Sequence, residues 1–299
     1  MDEGTATACA LSVETAIAMF LADLAQAQRS IHTRRAYASD LAQFAATCPG
    51  PLGAITPILL RAFFLTLDTQ QHTTRARKQA TVASFFAWAY RQELTTHNPM
   101  TQIQRVQPLV PLPRAVERTQ VEAILAVIPK ADQRDRLLFR LLVETGLRIG
   151  EALGLEVGDV DLTLDDEHLR VLGKGGRWRT VLLDDRNLVR QLRSYLNQTG
   201  YRHGPLFRAA KNGGAAGLRY QSVQERWAGY CALAGVQCSL HQLRHTHATE
   251  LVNDGVSLAT IRKRLGHKRI ETTLRYAEQA DAVADAELRE RQRRRNRAR

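Results

Sequence analysis

His241-Gln242-Leu243-Arg244-His245, then Leu265-Gly266-His267, then Tyr276: these stretches decide the fold. Upstream, Arg148 stands in Thr145-Gly146-Leu147-Arg148-Ile149-Gly150-Glu151, and Lys174 in Gly173-Lys174-Gly175-Gly176-Arg177. His241 and Arg244 are three apart, hence neighbours on one helical face. Taken one at a time, each residue has a plain reading. Arg148 pairs with Glu151, Lys174 is a solvated turn lysine, His267 follows a helix cap, and Tyr276 packs on an amphipathic helix. Together they are what metal-free cleavage of a phosphodiester needs. Arginine forks hold the non-bridging oxygens, a lysine or histidine moves protons, and a phenol attacks phosphorus to form a covalent intermediate. The phenol, with an ordinary pKa near 10, needs cations or a base beside it.

Outward from these residues, the chain divides in two. Residues 12–98 read as four helices with apolar stripes at three-to-four spacing: Ala16, Phe20, Leu21 and Leu24, then Tyr37, Leu41 and Phe44. The third carries Leu60, Phe63, Phe64 and Leu67, and the fourth, about 74–93, Val82, Phe85, Phe86 and Tyr90. Thr33 is the expected cap of the second, and Thr56-Pro57 a start signal for the third. Arg34, Arg35, Arg75, Arg77 and Lys78 place cations near two helix N-termini, where phosphate contacts are expected. Proline-rich residues 99–115 read as a linker. The second domain, 116–285, opens on a predicted capping box, Thr119-Gln120-Val121-Glu122. It continues as a helix from 136 to 145 ended by Gly146, a strand within 155–162, and a hairpin of 169–172 with 180–183. Beyond Asp185 the pattern is helical, broken near 200–204, 211–217 and 235–239. The fold class is mainly α with a small β-sheet. Residues 286–299 form a basic Arg-rich tail.

The chain has 299 residues, 42 Lys and Arg against 30 Asp and Glu, and a formal charge of +12. From 287 to 299 there are seven Arg and two Glu, +5 of that total, so the excess is not confined to the tail. Such a balance favours a polyanionic partner, because clustered cations gain from counterion release on DNA. Cys9, Cys48, Cys231 and Cys238 lack C-x-x-C spacing and read as reduced thiols. His241, His245 and His247 have ligand-like spacing, but no carboxylate or cysteine completes a site and H-E-x-x-H is absent, so no metal is expected. An acidic N-terminus and the lack of a long apolar run predict a soluble, intracellular protein without a membrane partner.

The order and spacing of Arg148, Lys174, His241, Arg244, His267 and Tyr276 resemble the tyrosine recombinase family, the phage integrase and Xer type of site-specific recombinase. The resemblance spans about residues 12–285. It implies a helical SAM-like core-binding domain followed by a mixed α+β catalytic domain. It also implies roles: Arg148 and Arg244 clamp the scissile phosphate, with His241 near the phosphate and nucleophile. His267 donates to the phosphate, Lys174 protonates the leaving 5′-oxygen, and Tyr276 is the nucleophile. Glu151 supports the site, Arg177 and Arg179 line the DNA-facing side, and His245 is buried and structural. No cofactor, ATP or metal is needed, because bond energy is kept in the 3′-phosphotyrosine. The implied partners are double-stranded DNA with paired inverted core sites, a homotetramer on two such sites (a dimer on each), and in some members a second recombinase or accessory protein. The segment with Ala282, Val283, Ala286 and Leu288 would dock on a neighbouring protomer. One departure is Ala277-Glu278, where many members have a small residue and histidine. A first helix starting near residue 12 leaves no space for the arm-binding domain of larger phage integrases, so mobile-element integrases come first and Xer dimer resolvases second. A type IB topoisomerase and a non-catalytic DNA-binding regulator are the remaining alternatives.

Overall fold

Phe20, Phe44, Phe63, Phe85, Phe86 and Trp88 carry the first core, and their aromatic contacts lock four helices together. In the computed structural model, residues 11–107, 115–173, 175–209, 216–267, 273, 274 and 276 are described. Lys174, Cys9 and the tail with its docking segment lie outside these residues.

Two compact units divide at 111/112. The first contains α1 (Val13–Gln26), α2 (Ile31–Thr47), α3 (Pro57–Leu65) and α4 (His72–Arg91). Ser12, Ser30 and Thr56 cap the first three helices with side-chain oxygens. The cap of α2 is therefore Ser30 and not Thr33, whose amide instead donates to the Ser30 hydroxyl. Tyr90 is 52% exposed, because one residue beyond Ala89 the helix has rotated off the core face. Asp40 is buried and gathers Arg77, Lys78 and the Thr81 hydroxyl, so a carboxylate inside a helical bundle is fully paired. A 3₁₀ turn, Pro99–Gln102, buries Met100 against the same core, as does Ile103 after it. The proline-rich stretch from residue 99 thus begins as core and not as connector.

The second unit holds α5 (Arg118–Ala126), α6 (Gln133–Thr145) and α7 (Ile149–Leu153). A three-stranded antiparallel sheet follows, β1 (Val160–Asp161), β2 (His168–Gly173) and β3 (Arg177–Leu182), in order β1-β2-β3. Then come α8 (Arg186–Thr199), α9 (Tyr220–Ala234), α10 (Leu240–Asn253) and α11 (Leu258–Leu265). Helix α6 is central: it packs on α8 and α10, and Phe139 meets Trp227 of α9 at 4.7 Å. The expected capping box at Thr119 does not form, because α5 has already started at Arg118 and Glu122 pairs instead with Arg118 and Arg140. The expected strand 155–162 shrinks to two residues. Val157–Asp159 is a 3₁₀ turn in which the Asp159 carboxylate caps the Glu156 amide. One further break, absent from the sequence expectation, separates α10 from α11 at Asp254-Gly255, where Gly255 has φ +74°.

Candidate active site

Ser239 caps α10 and its own amide is covered by the Gln242 side chain, which sets the start of the helix carrying His241 and Arg244. Arg244 is 2% exposed. Its guanidinium donates to the Gly146 carbonyl at 2.8 Å and the Leu265 carbonyl at 2.7 Å. Two chain reversals, after α6 and after α11, are thereby tied to one side chain. Burial, and then the charge of Arg148, pull the Arg244 pKa down to about 10, which still leaves it cationic at neutral pH. A guanidinium carries five N–H donors and two carbonyls use two of them, so the fork has capacity for an anion. Both reversals need glycine. Gly146 (φ +62°) and Gly266 (φ +67°) are left-handed, and a Cβ on Gly146 would meet the His247 ring at 2.6 Å.

Arg148 follows the first reversal and caps α7. Glu151 accepts from its amide at 3.0 Å and from its guanidinium at 2.9 Å. The same carboxylate accepts two bonds from Arg179 of β3, at 3.1 and 2.8 Å. Burial disfavours the Glu151 carboxylate, but hydrogen bonds from Arg179 and from the Arg148 amide, with both arginine charges, hold its pKa below the usual range. Arg179 also donates to the Arg264 carbonyl at 3.1 Å. Expected on the DNA-facing side, Arg179 is 13% exposed at the side chain and fastens the sheet to Glu151 and to the end of α11, while still lining the groove beside Arg177. Arg177, two residues earlier on the same face but at the very start of the strand, is exposed. It lines a groove of about 520 Å³ with Trp178, Arg262, Lys263 and His267.

His267 follows Gly266, is buried, and shares a 2.9 Å hydrogen bond through Nδ1 with the Thr273 hydroxyl. Tyr276 is 2% exposed and packs with Ala248, Val252, Ile261 and Leu265. Its ring lies parallel to that of His267, centroids 6.1 Å apart. Its hydroxyl sits 2.9 Å from His245 Nδ1. His245 in turn meets His241 edge to face at 4.6 Å. The expectation of a buried, merely structural His245 is therefore corrected: it is half-buried and faces the phenol. Burial, with the charges of Arg244 and Arg148, lowers the pKa of His241 and favours the neutral ring. His247 points elsewhere. Its Nε2 accepts from Arg264 at 3.1 Å, and burial followed by the Arg264 charge takes its pKa down to about 3. Among the described residues no group of three or more His, Cys, Asp or Glu is placed to hold a metal ion.

Arg264 was not singled out by the sequence, yet it binds the Glu144 and Leu182 carbonyls, the Asp184 carboxylate and His247 together. Only the run of cations in the last turn of α11 hinted at a helix-end role. In the first unit Arg35 is exposed, and Arg34 is half-buried with its Nε lacking a hydrogen-bond partner. Arg75 pairs with Asp68 at 2.6 Å and Arg77 with Asp40. Lys78 is corrected from a phosphate contact: it is buried, with Nζ on Asp40 at 3.1 Å and on Gln43 at 2.7 Å. No described helix is long and apolar enough to cross a membrane.

Comparison with known proteins agrees with this arrangement. Residues 114–282 match the Phage integrase family, and residues 17–93 match its N-terminal SAM-like domain. The tyrosine recombinase XerC of Mycobacterium sp. (strain KMS) is 35% identical over 274 residues, 83% of this chain and 88% of that protein. The XerH recombinase in a post-cleavage complex with a palindromic difH substrate superposes with a TM-score of 0.73 at 21% identity, covering 87% of this chain and 80% of that one. A lambda integrase tetramer on a Holliday junction gives 0.74 at 17% identity, with 89% and 77% coverage. Family match and whole-length relatives converge on one conclusion: the chain belongs to the phage integrase family and is a tyrosine recombinase, an enzyme that breaks and rejoins DNA strands at specific sites.

Proposed function

We propose that this chain is a Xer-type recombinase that exchanges strands between two core sites through a 3′-phosphotyrosine on Tyr276. The observation that carries the reading is the setting of the phenol: a buried hydroxyl 2.9 Å from an imidazole, with its ring parallel to that of His267. In this reading Arg148 and Arg244 bind the non-bridging oxygens of the scissile phosphate and stabilise the charge that develops there. Glu151 and Arg179 hold Arg148 in place. His241 and His267 add hydrogen bonds, and Lys174 protonates the departing 5′-oxygen. The 5′-hydroxyl of a second strand then attacks the phosphotyrosine and frees Tyr276, so the two steps conserve bond energy. Four protomers on two duplexes perform the exchange, and Arg34, Arg35, Arg75, Arg77 and Arg177 contact backbone phosphates.

A Xer role replaces the mobile-element integrase that the family resemblance and the early first helix placed first. It is supported by likeness to proteins called XerC over 83% of the chain, with 88% of the relative's own length covered. The test is to trap covalent protein–DNA adducts in the host cell and sequence the attached DNA. A single chromosomal locus is expected. Attachment at the two ends of a mobile element would return the reading to an integrase.

A further inference from the structure

We propose that His245 is a catalytic residue that takes the proton of Tyr276 as the phenol attacks phosphorus. The inference rests on the reading of Tyr276 as nucleophile and adds the base that reading lacks. His245 Nδ1 and the Tyr276 hydroxyl are 2.9 Å apart, within the reach required of a general base. The other two histidines are otherwise arranged. His267 gives its Nδ1 to Thr273 and lies parallel to the phenol ring, while His241 meets the His245 ring edge to face. His245 is one helical turn beyond His241, so one face of α10 presents a phosphate-side imidazole and a tyrosine-side imidazole in series.

In the step itself, the Tyr276 O–H proton passes to Nδ1 of a His245 ring that is neutral and protonated on Nε2. The electron pair left on the phenolic oxygen forms the O–P bond. The bond from phosphorus to the 5′-oxygen breaks, its pair staying on that oxygen, which takes a proton from Lys174. On rejoining, the imidazolium returns its proton to the departing phenolate.

The full-length protein is tested on a nicked suicide duplex, with adduct formation followed on denaturing gels at saturating protein. His245→Ala and His245→Asn are both expected to slow attachment by on the order of 100-fold or more, with DNA affinity and melting temperature retained. Asparagine can still accept a hydrogen bond but cannot keep the proton, so attachment at the wild-type rate in His245→Asn overturns the proposal. Added imidazole is expected to restore attachment in His245→Ala at least tenfold. A duplex with sulfur at the 5′-bridging position needs no proton on its leaving group. His245→Ala is expected to remain slow on it, and full rescue would move His245 to the leaving-group side and overturn the assignment. Tyr276→Phe separates the two levels. If it still forms an adduct, the nucleophile reading falls and this inference with it. If it forms none while the His245 variants attach at the wild-type rate, only His245 is wrong.

Discussion

Arg244 binds two backbone carbonyls, and under the proposed clamp role its replacement removes a structural tie and an anion site together. Arg244→Lys keeps a charge but loses the planar fork. Attachment of Tyr276 to DNA is expected to fall at least 100-fold, with a smaller loss of affinity; near wild-type attachment would exclude the clamp role. Gly146→Ala tests the reversal beneath it. A left-handed alanine with its Cβ against His247 and Leu265 is expected to cost roughly 2–4 kcal/mol, read from urea denaturation. His247 gives a pH signature. Its folded pKa of about 3 lies below the ordinary 6.5, so the unfolded chain binds the proton first. Stability is therefore expected to decline as pH falls from about 6.5 towards 3, by up to roughly 1.4 kcal/mol per unit. His247→Gln, which keeps an acceptor for Arg264, should flatten the decline between pH 6.5 and 5. An unchanged slope would assign that window to other groups.

Arg177 and Arg179 share one face of β3, but Arg177 is exposed at its start while Arg179 is largely covered and paired with Glu151, so the two are expected to fail in different ways. Arg177→Ala should weaken DNA binding and lower the salt-dependence slope by about 0.9, leaving the attachment rate at saturation unchanged. Arg179→Gln should leave that slope alone and slow attachment on the order of 100-fold, because Glu151 and Arg148 lose their anchor. Identical behaviour of the two variants would contradict this division. The sequence made much of this level legible. Gly146 and Gly266 announced their reversals and Gly173 to Arg177 the hairpin, since each relies on local backbone chemistry. What stayed hidden depended on partners far along the chain. The inward turn of Arg179 requires Glu151, the burial of Lys78 requires Asp40, and the meeting of His245 with Tyr276 bridges 31 residues. The strand within 155–162 was overcalled because an apolar run does not reveal a 3₁₀ turn closed by Asp159.

Each of the two units has its own core, so residues 112–299 alone should unfold cooperatively. That fragment is expected to bind a core site far more weakly than the whole chain, with a shallower salt slope, because the cations of the first unit are gone. Equal slopes would reassign the first unit from DNA to protein contacts. The pattern was recognisable from sequence because Arg148, His241 and His267 stand beside caps and glycine reversals with local signals, whereas the meeting of His245 with Tyr276 needed three dimensions. The central claim is that Tyr276 becomes covalently joined to DNA in the course of cleavage. It is tested most directly by incubating wild type and Tyr276→Phe with a labelled suicide duplex and resolving the products under denaturing conditions. The account predicts a slow-migrating adduct with wild type, mapped by peptide mass to Tyr276, and none with Tyr276→Phe despite intact DNA binding. An adduct of equal yield in the phenylalanine variant would contradict it.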